Sequence, residues 1–119
     1  MTLSQRIQTA SADETWALLE EAYEAVHGKS CDWFRYYGEI DQKHDARAFD
    51  NMLIAEAYLD AAMMLLPEEW TGLIPVRGGQ YEDAWLWPEN GSMVRGYKAA
   101  AATPALALLS AICMARGLC

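Results

Sequence analysis

Basic residues are scarce: nine Lys and Arg stand against seventeen Asp and Glu, a formal charge of −8 over 119 residues. Binding nucleic acid through its phosphates draws affinity from Lys and Arg that displace counterions, so the composition argues against that class. The acidic balance suits a basic protein partner or mimicry of a nucleic acid; most plainly, it keeps a small domain soluble. Cysteine is scarce too. Cys31, Cys113 and Cys119 are odd in number and form no Cys-x-x-Cys pair, and residues 1–10 lack the apolar run of a signal peptide, so free thiols in a cytoplasm are expected. A membrane-length apolar run is missing as well. The stretch from Asn51 to Leu66 is shorter than the ~20 residues a bilayer span needs and carries Glu56 and Asp60. There is no phosphate-binding loop either, since Gly78-Gly79 is not followed by a helix start with Lys-Ser/Thr.

Apolar residues make up 53% of the chain and charged residues 22%, with five Trp and six Tyr, the composition of a folded chain of one domain. Ser11 and Glu14 form a capping box, and Trp16, Leu19, Tyr23 and Val26 make an apolar stripe, predicting a helix from Ala12 to His27 that Gly28 stops. Cys31 to Tyr37 is rich in β formers and reads as a short strand or ordered loop, with Lys43 to Asp45 crossing the surface. The run from Asn51 to Leu66, starting somewhere between Ala46 and Asn51 and ended by Pro67, predicts a central helix with Glu56 and Asp60 on one face.

After Pro67 the period changes to two. Trp70, Gly72, Ile74 and Val76 predict one strand, interrupted or at an edge because of Pro75. Gly78-Gly79 predicts a hairpin turn, and Tyr81, Asp83, Trp85 and Trp87 alternate with Glu82, Ala84 and Leu86 in a second strand. Pro88 to Gly91 turns the chain, and Ser92 to Lys98 returns as a third strand. Thr103 and Pro104 then open a helix over Ala105 to Arg116 that Gly117 closes, with Ser110 its only polar interior residue. The expected class is α+β, a small antiparallel three-stranded meander packed with apolar helices in layers.

Three segments resemble a known family. Tyr58-Leu59-Asp60-Ala61-Ala62-Met63-Met64-Leu65-Leu66-Pro67-Glu68-Glu69-Trp70, Ala102-Thr103-Pro104-Ala105-Leu106-Ala107-Leu108-Leu109 and the opening Leu3 to Ala10 are similar to the small bacteriophage and prophage proteins grouped as the phage ABA sandwich domain. The chain departs from that pattern in its extra aromatic residues between Gly28 and Ala48 and in Glu69 before Trp70. The resemblance implies a layered α/β/α arrangement and a phage or prophage origin. It transfers no activity, cofactor or functional residue.

Candidate chemistry is thin. His27 with Cys31, and His44 beside Asp45, do not supply the paired ligands of a structural zinc, so no metal is expected. Cys31 with His27 or His44 would make a nucleophile only in an electropositive setting, and Asp32 works against that. Glu82 and Asp83 point to opposite faces of a strand; Asp83 is expected in an ion pair with Arg77 or Arg95. Trp70 is assigned to the core. The aromatics Trp16, Trp33, Phe34, Tyr36, Tyr37, Trp70, Tyr81, Trp85, Trp87 and Tyr97 are more than is readily placed in one small core, and they read either as core throughout or as partly partner-facing. In the second reading Trp33, Phe34, Tyr36 and Tyr37, outside the strongly patterned elements, are the expected interaction surface for an unidentified protein partner. The leading expectation is a phage or prophage accessory protein acting by protein contact, without catalysis or cofactor; a homo-oligomer stays open. Two alternatives remain: an inhibitor of a host anti-phage defence system, and a small-molecule or nucleotide binder or hydrolase with an aromatic pocket built on Arg77, Arg95 or Asp83.

Overall fold

The computed structural model describes residues 1–73, 82–91 and 96–118. The C-terminal segment forms as its caps dictate: the Thr103 hydroxyl accepts from the Leu106 N–H at 3.2 Å, Pro104 takes the first turn, and the helix runs over Pro104–Arg116 to a left-handed Gly117. Every residue from Ala105 to Cys113 is buried, so this helix is enclosed on all sides. It is the central element of the molecule.

Three antiparallel strands form a sheet in the order β1 (Trp70–Leu73), β2 (Glu82–Pro88) and β3 (Tyr97–Ala101), the expected meander, and β2 and β3 pack on this helix. The register pairs Gly72 with Leu86, Trp85 with Lys98 and Ala84 with Ala99. Ala84, Leu86, Ala99 and Ala101 are the buried alternate residues, and three of these four are alanines that leave room for a close helix. A β-carbon on Gly72 would overlap the Leu86 side chain and stand 2.6 Å from the Trp85 carbonyl, which explains a glycine inside a strand. Trp70 is half-buried against the core and stacks on Tyr97 with ring centres 5.9 Å apart. Ile74, Pro75, Val76, the Gly78-Gly79 turn, Tyr81 and the segment from Ser92 to Arg95 lie outside the described residues; within them the third strand reaches Ala101, three residues beyond the Lys98 expected.

The helices before the sheet are α1 (Leu3–Thr9), α2 (Thr15–His27), α3 (Cys31–Tyr37), α4 (Ile40–Ile54) and α5 (Tyr58–Met63); the C-terminal helix is α6. Ser4 of α1 and Ser110 of α6, both buried, approach to 2.7 Å between hydroxyls, and the Gln8 side-chain amide donates to Ser110 at 3.1 Å. The lone polar residue in the interior of α6 is thus satisfied within the core. On the other flank the Arg116 Nε donates to the Leu65 carbonyl at 2.6 Å, tying the segment after α5 to the end of α6. Buried side chains of all six helices and of β2 and β3 form one continuous core.

Four local expectations are corrected. The stretch from Asn51 to Leu66 is not one helix: α4 ends at Ile54, Glu56 turns left-handed at φ 59°, and α5 starts afresh at Tyr58. The Glu56 N–H donates to the Leu53 carbonyl at 3.1 Å and the Ala57 N–H to the Met52 carbonyl at 2.8 Å, a Schellman ending. The break lets Leu53 face the core from one helix and Ala61 and Ala62 from the next. Secondly, α4 starts at Ile40, capped by Glu39 in a box with Gln42, so Lys43 to Asp45 are helical; its buried stripe is only Ala46, Phe49 and Leu53. Thirdly, Cys31 to Tyr37 is a helix and neither strand nor loop, because Ser30 caps it and Cys31 and Phe34, three apart, go into the core. Lastly, Ala12–Glu14 is a separate 3-10 turn, and α2 buries Thr15, Leu18, Leu19, Ala22 and Tyr23, leaving Trp16 beside the stripe with its indole N–H donated to Glu20.

Candidate interaction surface

Residues 31–37 wind through two turns of α3, which divides them by face. Cys31 and Phe34 point inward, 8% exposed each, whereas Trp33, Tyr36 and Tyr37 point outward at 38%, 67% and 74%. The structure therefore brings three of the four expected aromatics together on one surface and assigns Phe34 to the core. Phe34 lies 6.2 Å from the Tyr23 ring and 6.0 Å from that of His27, and Tyr23 in turn packs at 4.6 Å on Phe49. This aromatic layer seats α3 on α2 and α4.

A second tie holds α3 in place. Arg35 donates to Asp50 of α4 at 2.7 Å and reaches Asp32 at 3.1 Å, with its side chain about one-quarter exposed. The outward rings are ordered against one another: Trp33 and Tyr37 at 5.9 Å, Tyr36 and Tyr37 at 6.5 Å. Lys29 Nζ lies 5.7 Å above the Trp33 ring and the Arg35 guanidinium 5.5 Å above Tyr36, so both rings already present faces to cations. Ile40 at the start of α4 is likewise 74% exposed.

Beside this face, α2, α3 and α4 enclose a groove of about 260 Å³ lined by Glu20, Glu21, Glu24, Asp32 and Asp50. Glu20 and Glu24 were legible as the polar side of α2, four residues apart. Their meeting with Asp32 and Asp50 depends on how the helices pack and left no sequence signal.

The other candidates resolve individually. The Cys31 thiol, against the Ala46 carbonyl at 3.1 Å, is pushed up to about 11 by burial and by Asp50, with Arg35 opposing and Asp32 adding to the rise. Such a thiol is protonated and unactivated at neutral pH. His27 lies on Tyr23 with ring centres 4.3 Å apart; loss of water and then the charge of Arg116 lower its pKa, and Asp45 partly restores it. Among the described residues no group of three His, Cys, Asp or Glu is placed to hold a metal, and no helix is long and apolar enough to cross a membrane. Asp83 is buried on the strand face that carries Trp85 and Trp87, with Nζ of Lys98 on the neighbouring strand β3 at 3.9 Å. Arg77 and Arg95, the partners expected for it, lie outside the described residues, as does the aromatic pocket they were to build. No family model, curated protein or solved structure matches the chain.

Proposed function

We propose that this is a small phage or prophage accessory protein that acts in the cytoplasm by protein contact, and that Trp33, Tyr36 and Tyr37 on α3 form the contact. The observation that carries this reading is the division of α3 into two faces: Phe34 and Arg35 fix the helix, Tyr36 and Tyr37 are held out in solvent, and Trp33 packs edge-on against Phe34 at 5.1 Å while remaining more than a third exposed. Rigid aromatic side chains in one patch are what interfaces use as anchors, because they cover a large area while losing few rotamers. The phage origin rests on the sequence resemblance alone. The cytoplasmic placement rests on the sequence, whose three cysteines are odd in number and form no paired spacing.

The reading is tested with the double variant Trp33→Ala/Tyr36→Ala. The expected outcome is a thermal midpoint close to wild type and loss of a partner that the wild-type protein retains from bacterial lysate. Unfolding of the variant, or undiminished capture, removes the α3 surface from consideration. The charge of −8 also favours inhibition of a host defence protein that grips nucleic acid. Plaque formation on hosts carrying defined defence systems tests that version, and lack of rescue in all of them eliminates it.

A further inference from the structure

The exposed face of α3 does not stand alone; it adjoins an acidic concavity through Asp32, which lines that concavity and directly precedes Trp33 on the helix. Five carboxylates line the groove, and the arginines paired with them are two, Arg6 on Glu21 at 2.6 Å and Arg35 on Asp50 and Asp32. Glu24 forms no ion pair with a described residue, and Glu20 is met by the neutral indole of Trp16. The groove thus keeps an excess of negative charge beside a patch whose Trp33 and Tyr36 rings already carry the cations Lys29 and Arg35 on their faces.

That sign selects among occupants. A nucleic acid or an anionic bilayer would bring its phosphates against these carboxylates. A second copy would have to associate against the mutual repulsion of two chains that each carry −8. A positively charged segment is the complement that remains. We infer that the occupant of the α3 face is an amphipathic basic segment of a protein partner, its apolar side chains covering Trp33, Tyr36 and Tyr37 and its Lys or Arg side chains reaching the groove of Glu20, Glu24 and Asp32. This rests on the contact reading of α3 and adds the partner's chemistry. The two halves of the surface divide the work: exposed carboxylates accelerate encounter and add little net affinity, whereas the aromatic anchors set how long the complex lasts.

The probes are three helical peptides of one length: a Leu stripe flanked by Lys and Arg, the same stripe flanked by Glu, and the Lys/Arg peptide with Leu changed to Ser. Binding is followed by surface plasmon resonance. The Leu/Lys/Arg peptide is expected to bind, and the other two to bind at least about tenfold more weakly. Glu20→Gln/Glu24→Gln should slow its association about three- to tenfold and flatten the salt dependence, and Trp33→Ala/Tyr36→Ala should instead speed dissociation about tenfold. Glu56→Gln/Glu68→Gln, which removes equal charge outside the groove, should change neither rate beyond about twofold. Equal binding of the Glu-flanked peptide, equal effects of the two carboxylate pairs, or indifference to the loss of Trp33 and Tyr36 overturns the inference. So does light scattering that shows a dimer of the wild type separating in the Trp33→Ala/Tyr36→Ala variant, which would make the occupant a second copy. Failure of the peptides alongside capture of a lysate protein that depends on Trp33 defeats this inference alone; failure of both defeats the contact reading as well.

Discussion

Phe34 and Trp33 are neighbours in sequence with opposite fates, and substitution should separate them. Phe34→Ala removes a ring packed on Tyr23 and His27 and is expected to cost about 3 to 5 kcal/mol in denaturant unfolding. Trp33→Ala, at a site more than a third exposed, should stay within about 1 kcal/mol. Nothing in the letters Trp-Phe assigns one ring to the core; the face does, and the face follows from Ser30 starting a helix at Cys31. His27 carries a second consequence at this scale. Its folded-state pKa is lowered from the ordinary 6.5 by lost hydration and then Arg116, so the unfolded chain takes up a proton more readily. Stability from this group is fully present above pH 6.5 and falls as pH drops through the lower folded value. The slope of midpoint against pH below 6.5 should therefore flatten in His27→Gln, a histidine-specific change that unrelated carboxylates cannot mimic.

Two helices end in the same way, and only one was legible. After α6, Gly117 is left-handed at φ 71° while the Leu118 N–H donates to the Cys113 carbonyl and the Gly117 N–H to that of Met114, a Schellman motif on the residue that tolerates it best. After α4 the same pair of hydrogen bonds closes on Glu56, a residue that reads as helix-forming. A side chain at positive φ carries strain of about 1–2 kcal/mol that glycine escapes. Glu56→Gly is accordingly expected to raise stability by about 0.5 kcal/mol, the relief exceeding the added freedom of the unfolded chain. Gly117→Ala should lower it by about 1 kcal/mol, although nothing lies within 4 Å of the new methyl. If Glu56→Gly instead destabilises, the break between α4 and α5 is held by more than its turn.

At the scale of the molecule the charge of −8 has no matching supply of cations, and the groove between α2, α3 and α4 concentrates part of it. Self-repulsion of this kind weakens as salt shortens the Debye length from about 30 Å at 0.01 M to about 8 Å at 0.15 M. The thermal midpoint should rise over that range, and rise less in Glu20→Gln/Glu24→Gln. A midpoint that falls with salt would mean that pairs such as Arg6 with Glu21 outweigh the repulsion. The arrangement around α6 also explains why the apolar stretch at residues 51–66 does not organise the fold. α6 is buried along nine consecutive residues, while α5 contributes only two fully enclosed alanines.

The residues alone determined those features whose physics is local. The Thr103-Pro104 start and Gly117 stop of α6, the capping box at Ser11, the stop at Gly28 and the period-two alternation of Ala84 and Leu86 with Asp83 and Trp85 each follow from a side chain acting on its own backbone or on its pleat. Tertiary structure decided whatever depended on the far side of a contact. Packing of Cys31 and Phe34 joined the Ser30 cap in making α3 a helix against its β-forming composition; packing also broke the stretch at Glu56 and moved the buried stripe of α2 from Trp16 to Thr15 and Leu18. It also chose which carboxylates meet. Asp50 joins Glu20 and Glu24 because α4 crosses beside α2, and no spacing along the chain encodes that crossing. The surface proposed to work was visible as a surplus of aromatics; its outward face, its anchor in Phe34 and its acidic flank came from the folded chain.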